Sequence, residues 1–305
     1  MISVVIPVFN EEEGVDSLVD KLRDFSNQNS SLNLEFIFVN DGSHDKTFEL
    51  LRIRKKDLTC KIVSFSKNFG SHAALRAGIL HASNDLVTFM YADLQDPLTL
   101  IVDLYEESKN GADIVWANRK SDSTGMFEGL FSKTYANLMR SYAVDNFPKK
   151  GFDIVFFNKK VKTILNNNVI ANSSIFLQIL SLGFHQNSIE YIKKEREFGK
   201  SKWTFSKKVK LLIDSFVSFS YAPLKLVTLA GVFLLTIGTS FSFYLIFRRL
   251  VYNDLESGWP TIISILLIGF GITNISLGIV AEYLWRTFDA ARKSEVFIID
   301  EIIEN

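Results

Sequence analysis

The chain has 305 residues, 47% of them hydrophobic and 22% charged, which allows a soluble domain of about 200 residues plus a smaller second part. Lys+Arg 34 balance Asp+Glu 34, so neither an acidic disordered chain nor a polybasic nucleic-acid binder fits, and no nucleic-acid partner is expected. The single cysteine, Cys60, excludes an intramolecular disulfide and a cysteine-rich zinc site and reads as a small buried apolar residue.

Met1 leads straight into an apolar run with no charged segment or small-residue cleavage site, so no signal peptide is expected and the N-terminus is expected in the cytosol. Short β-rich runs then alternate with helical stretches: ISVVIPVF, EEEGVDSLVDKLRDF, LEFIFVND, DKTFELLRIRKK, CKIVSFS, HAALRAGILHA and DLVTFMYAD. A βαβαβαβ string of this kind predicts an α/β fold with a mostly parallel sheet, helices on both faces, and a ligand beyond the C-terminal ends of the strands. Strand pattern resumes at 113–118 (DIVWAN) and 153–157 (DIVFF), with a helix expected around 127–142 between them. No GxGxxG follows the first strand and no GxxxxGK[ST] occurs, so the dinucleotide and P-loop fingerprints are absent.

Residues 205–219 place apolar positions at helical spacing among lysines, which suits a helix lying in the headgroup layer, or an ordinary amphipathic surface helix. Residues 226–247 and 257–281 carry no charged side chain, and each run exceeds the about 20 residues that cross a bilayer core. Tyr244, Trp259 and Trp285 stand near the ends of these runs, as interfacial aromatics do. Lysines precede the first run, and Arg286, Arg292 and Lys293 follow the second, so both termini are expected inside with a short outer hairpin loop.

The polar residues just past each strand are Asn10 and Glu11, then Asp41, Gly42 and Ser43, then Lys67 and Asn68, then Asp93, Gln95 and Asp96. Asp93 and Asp96 around Gln95 offer hard oxygen ligands for Mg²⁺ or Mn²⁺. Asp96 before Pro97 equally suits a helix N-cap, and Asp41 in Asp41-Gly42-Ser43 equally suits a turn. His44, His72, His81 and His185 show no zinc-binding spacing.

Five segments in order, VVIPVFNEEE (4–13), FVNDGSHDKT (38–47), FSKNFGSHAALRAGI (65–79), ADLQDP (92–97) and GKSKWTFSKKVKLLIDSFVSFS (199–220), resemble the family 2 GT-A glycosyltransferases. Within that family they resemble the branch that charges a polyprenyl phosphate, and the apolar runs that follow match the same branch. The resemblance implies a GT-A (Rossmann-like) cytosolic domain at 1–202 and an interfacial helix at 203–221. A two-helix membrane hairpin follows at 222–288, with spans at about 226–247 and 258–282, and then a cytosolic tail at 289–305. It implies a multi-pass protein of the bacterial inner membrane and self-association through the spans.

Carried over residue by residue, the resemblance implies that Pro7, Phe9, Asn10, Glu11, Asp41 and Asp93 bind a nucleotide sugar, with UDP or dTDP ahead of GDP. Asp93 and Gln95 match the metal ligands, and Asp93, Asp96 and Arg119 the catalytic groups. Arg119 with Arg196, Ser201 and Lys202 matches the cations and hydroxyl at the acceptor phosphate. Three positions depart from the family: Phe9 stands for a tyrosine, Tyr91 for the first Asp of the metal motif, and Ile154 for an arginine beside Asp153. The implied reaction is attack by an ionised polyprenyl phosphate on the anomeric carbon of a nucleotide sugar with inversion, which requires no strong general base. Two other readings stay open: transfer to a sugar hydroxyl of a lipid-linked glycan with Asp96 or Asp153 as base, and a non-catalytic membrane scaffold in which Tyr91 has disabled the metal site.

Overall fold

The structure, a computed structural model, describes residues 1–120, 152–168, 174–194, 247, 251, 259–292 and 295–304. The helix expected at 127–142 and the interfacial helix expected at 203–221 lie outside the described residues. Met1–Ser215 with Glu295–Asn305 forms one compact unit and Phe216–Ser294 another.

The first unit is built on eight strands: β1 Ile2–Val8, β2 Leu34–Asn40, β3 Cys60–Phe65, β4 Leu86–Phe89, β5 Ile114–Arg119, β6 Phe152–Phe157, β7 Gln186–Tyr191 and β8 Ile299–Ile303. Between them lie α1 Val15–Gln28, α2 Thr47–Arg54, α3 Ser71–His81, α4 Leu100–Ser108, α5 Lys159–Asn167 and α6 Ile175–Leu180. The strand order is β7-β5-β6-β4-β1-β2-β3-β8. Pairs β1–β2, β1–β4, β2–β3 and β5–β7 are parallel, and β6 and β8 are the antiparallel members, so the sheet is mostly parallel as expected.

The central strands read as continuous apolar runs because both faces are covered. Every residue of β2 is buried. Val4, Ile6, Phe36 and Phe38 pack in one cluster with Leu18 and Leu22 of α1, Leu51 of α2 and Leu104 of α4. On the other face Val5 meets α3 at Gly78, where an added Cβ would run into the Val5 side chain. Cys60 is buried as expected, and burial pushes its thiol up to about 11. At the edge where the parallel strands begin, Glu35 accepts hydrogen bonds from Ser3 Oγ (2.6 Å) and the Ser83 amide (3.0 Å), which satisfies a buried carboxylate away from the ligand edge.

Two sequence readings are corrected. α4 begins at Leu100 behind Thr99 rather than at Pro97, so Asp96 is not its N-cap. The residues read as a C-terminal tail contain β8, which pairs with β3 and completes the sheet edge.

The described element of the second unit is the 34-residue helix α7, Trp259–Arg292. Counted over the described residues, no helix is long and apolar enough to cross a membrane. The run at 226–247 lies outside them apart from Phe247.

Gly78→Ala is expected to lower stability by about 1–3 kcal/mol, the scale of overpacking a filled core. Urea unfolding checks this, and a midpoint equal to that of the wild type would show that β1 and α3 have room to part.

Candidate active site

The chain passes from β1 to β2 and β3 on one side of the sheet and returns to β4 on the other side of β1. The loops after β1 and β4 therefore diverge at a topological switch point, where open α/β sheets bind ligands. Two blocks of residues flank this crevice.

The first block joins the loops after β1 and β2. The Asn10 amide donates to Ser43 Oγ (3.0 Å), and the His44 amide donates back to Asn10 Oδ1 (2.8 Å). The Glu11 amide donates to Thr47 Oγ1 (2.8 Å), the Glu12 amide to Asp45 Oδ2 (3.2 Å) and the Lys46 amide to Glu12 Oε2 (3.0 Å). Asn10 holds φ 51, a left-handed conformation that asparagine tolerates better than most residues. Burial raises the Asp45 carboxyl, but hydrogen bonds from Thr47 and Glu12 outweigh it and hold the group below its ordinary value. Phe9 stands half-buried at this end, edge-to-face with His44 at 6.4 Å.

Asp41 ties this block to the loop after β3. Its amide donates to Val8 O (2.9 Å), and its buried carboxylate accepts from the amides of Phe69 (2.7 Å) and Gly70 (3.0 Å) and from Asn68 Nδ2 (3.0 Å). Gly42 follows at φ 65, and a Cβ there would strike the Lys67 backbone. Only glycine combines that dihedral with so close an approach.

The second block is the turn after β4. Leu94 holds φ 55 between Asp93 and Gln95, an uncommon conformation for a bulky residue, and Asp93 and Gln95 are half-buried. The Gln95 amide donates to Asp93 Oδ1 (3.3 Å). Backbone and side chain of Gln95 also link to Lys194, through Lys194 N to Gln95 O (2.8 Å) and Gln95 Nε2 to Lys194 O (3.3 Å). Asp96 is 1% exposed. Its Oδ1 accepts from the Tyr191 hydroxyl (2.7 Å) and lies 3.6 Å from Lys193 Nζ, which sits 6.0 Å from the centre of the Tyr91 ring. Arg119 stands exposed at the end of β5, in register with Tyr191.

The structure thus gathers Pro7, Phe9, Asn10, Glu11 and Asp41 on one side of the crevice, and Asp93, Gln95, Asp96 and Arg119 at the strand ends of the other. Arg196, Ser201 and Lys202 lie outside the described residues. Asp153 is the second residue of β6, whose antiparallel course starts it opposite Asn118 on this same edge. Ile154 is buried in the core cluster. Among the described residues no three His, Cys, Asp or Glu side chains gather to hold a metal. A carboxylate and an amide oxygen on one turn nevertheless are donor types that suit a hard divalent ion drawing the rest of its shell from phosphate and water, so the chemistry of Asp93 and Gln95 fits Mg²⁺ or Mn²⁺. Sequence reading missed Ser43, Asp45 and Thr47 as loop fasteners, and it missed Tyr191, Lys193 and Lys194 altogether.

Residues 3–169 match the family model described as "Glycosyl transferase family 2". The chain is 32% identical over 303 residues to the bactoprenol glucosyl transferase of Shigella phage SfV, covering 98% of this chain and 97% of that one. It is 31% identical over 301 residues to the uncharacterized glycosyltransferase YkcC of Bacillus subtilis, covering 98% of this chain and 93% of that one. Among solved structures it is similar to the mannosyltransferase PcManGT of Pyrobaculum calidifontis in complex with GDP-Man and Mn²⁺, at 14% identity and a TM-score of 0.47, covering 94% of this chain and 87% of that one.

Asp41→Asn preserves shape but turns an amide donor toward N–H donors. It is expected to lower stability by about 1–3 kcal/mol, the scale of a buried donor left unsatisfied. Urea unfolding checks this, and a midpoint equal to that of the wild type would show that the Asp41 carboxylate does not hold the loop after β3.

Proposed function

The chain belongs to glycosyl transferase family 2 and is a glycosyltransferase, and from that premise we propose that it moves a sugar from a nucleotide sugar to a polyprenyl phosphate at a membrane. The observation that carries this reading is the end-to-end similarity to bactoprenol glucosyl transferases, which takes in the C-terminal apolar runs as well as the catalytic domain.

Further features support a membrane site. Ile262, Leu266, Leu277, Leu284 and Trp285 of α7 are more than half exposed, an unfavourable surface in water and a suitable one in lipid. We read 226–247 and 258–282 as spans behind an interfacial helix at 203–221. The catalytic domain, 1–202, and both termini then face the cytosol of a bacterial inner membrane, with self-association through the spans.

In this reading Pro7, Phe9, Asn10, Glu11 and Asp41 receive the base and ribose of the donor, UDP- or dTDP-linked ahead of GDP-linked. Arg119, with Arg196, Ser201 and Lys202, holds the acceptor phosphate, for which a guanidinium is a planar and permanently charged partner. An oxygen of that phosphate attacks the anomeric carbon, the bond to the nucleoside diphosphate breaks, and the configuration inverts. Asp93 and Gln95 would hold Mg²⁺ or Mn²⁺, which when bound supplies positive charge to the departing diphosphate. An ionised phosphate needs no proton removed. That requirement agrees with Asp96, whose buried carboxylate is engaged by Tyr191 and Lys193 rather than offered as a base for a sugar hydroxyl.

The full chain in detergent is to be incubated with undecaprenyl phosphate, a panel of UDP-, dTDP- and GDP-sugars, and Mg²⁺, Mn²⁺ or EDTA. Mass spectrometry is expected to find a monoglycosyl phosphate lipid that EDTA suppresses. Asp93→Asn is expected to lower its formation roughly 100-fold, the scale for removing one charge-stabilising group. Transfer only to a sugar hydroxyl, or no transfer from any donor, would contradict the proposal.

A further inference from the structure

The strand beyond β3 in the sheet comes from the C-terminus of the same chain. β8 pairs antiparallel with β3, from Ile62 opposite Ile303 to Phe65 opposite Ile299, with an irregularity between Ser64 and Phe65. The Ser66 amide continues the pairing by donating to Ile298 O (3.1 Å). The far end of β8 is fastened by Lys61 Nζ to Glu304 Oε1 (3.2 Å) and by Lys55 Nζ to the Glu304 carbonyl.

The near end does more. Phe297 stacks on Phe65 with centroids 5.1 Å apart and planes 11° from parallel, and Phe65 meets Phe69 edge-to-face at 5.6 Å. Phe69 is the residue whose amide donates to Asp41 Oδ1 at 2.7 Å. A column of three rings therefore runs from the C-terminal segment to the loop that the Asp41 carboxylate grips, joining residues 228 positions apart in sequence (297 − 69). That loop is thus engaged both by the ring contact at Phe69 and by the Asp41 carboxylate. The ring contacts give Phe297 a path to the Asp41 loop through Phe65 and Phe69; Phe297 also lines a small cavity with Arg76, Ile79 and Leu80 of α3.

We propose that Phe297 is a positioning residue for the nucleotide donor: the C-terminal strand holds residues 66–70 in the shape that donor binding requires. The proposal rests on the reading of Asp41 and its loop as the donor end of the site. It makes the C-terminal segment a working part of the catalytic domain, so damage there reaches the donor site without touching a ligand-binding residue.

The test is titration of full-length variants with UDP, dTDP and GDP in turn, alongside donor kinetics and thermal unfolding. Phe297→Ala is expected to weaken binding of the preferred nucleotide about two- to tenfold, the scale of one aromatic pair, and to raise the donor KM while kcat stays within about twofold. Phe297→Tyr, which keeps the stack, is expected to bind as the wild type does. Ile303→Ala strips an apolar contact from the far end of the same strand and is expected to lower the unfolding temperature with affinity unchanged. Should Phe297→Ala not fold, Phe297→Leu keeps apolar volume without the stack and is expected to show the same weakening. Wild-type affinity in the folded Phe297 variant, or equal weakening in Ile303→Ala, would overturn the proposal alone. Binding of none of the three nucleotides by the wild-type chain would overturn the donor-site reading and the proposal with it.

Discussion

The Asp41 carboxylate is the constraint on which the half of the crevice proposed to receive the donor depends. A buried anion is costly unless its oxygens are met by donors, and here the amides of Phe69 and Gly70 and the Asn68 side chain meet them. Because the three donors belong to one short loop, satisfying the charge also shapes the loop. The same demand explains Gly42: the loop lies so close to the end of β2 that no side chain fits between them. A charge placed in the interior thereby specifies backbone geometry across two strand ends.

Around this latch the crevice divides into halves of different construction. The half beside β1 and β2 is laced by hydrogen bonds that run both ways between its loops, so Phe9 and Asn10 project from a fixed base. The half beside β4 depends on longer-range ties, in which Asp96 is held by Tyr191 and Gln95 by Lys194. Those ties come from the end of β7 and the residues just after it, which lead in sequence toward Arg196, Ser201 and Lys202. The turn that suits a metal is thus tied by hydrogen bonds to residues that lead, in sequence, toward the stretch expected at the acceptor phosphate.

Strands β1 to β6 were legible in the sequence because strands covered on both faces leave unbroken apolar runs such as LEFIFVN. The two edge strands were not. β7 reads QNSIEY and β8 reads IDEII, half-exposed patterns without a long apolar run, and β8 also follows an apolar helix that makes the chain end look like a tail. The motif residues at 41 and 93–96 were recognisable as strand-end polar groups, and their place at the crevice follows from strand order. Their bonding partners were not recognisable, since Tyr191 and Phe69 come from distant segments whose pairing only the fold creates. Asp96 illustrates the difference: proximity to Pro97 suggested a local cap, whereas the buried carboxylate is claimed by a hydroxyl from another strand. Ser43, Asp45 and Thr47 carried a signal that went unread, because short polar side chains at spacings of two are the residues that fasten loops to one another.

Hydrogen exchange of the full-length protein at the Phe69 and Gly70 amides tests this account most directly, because those two N–H groups are the ones committed to Asp41. The account predicts protection at both amides without any ligand, well beyond that of an open surface loop, and further slowing when a nucleoside diphosphate binds. Exchange at the rate of an unprotected loop would mean that the latch is open in solution, and would contradict the claim that a buried carboxylate preorganises the donor site.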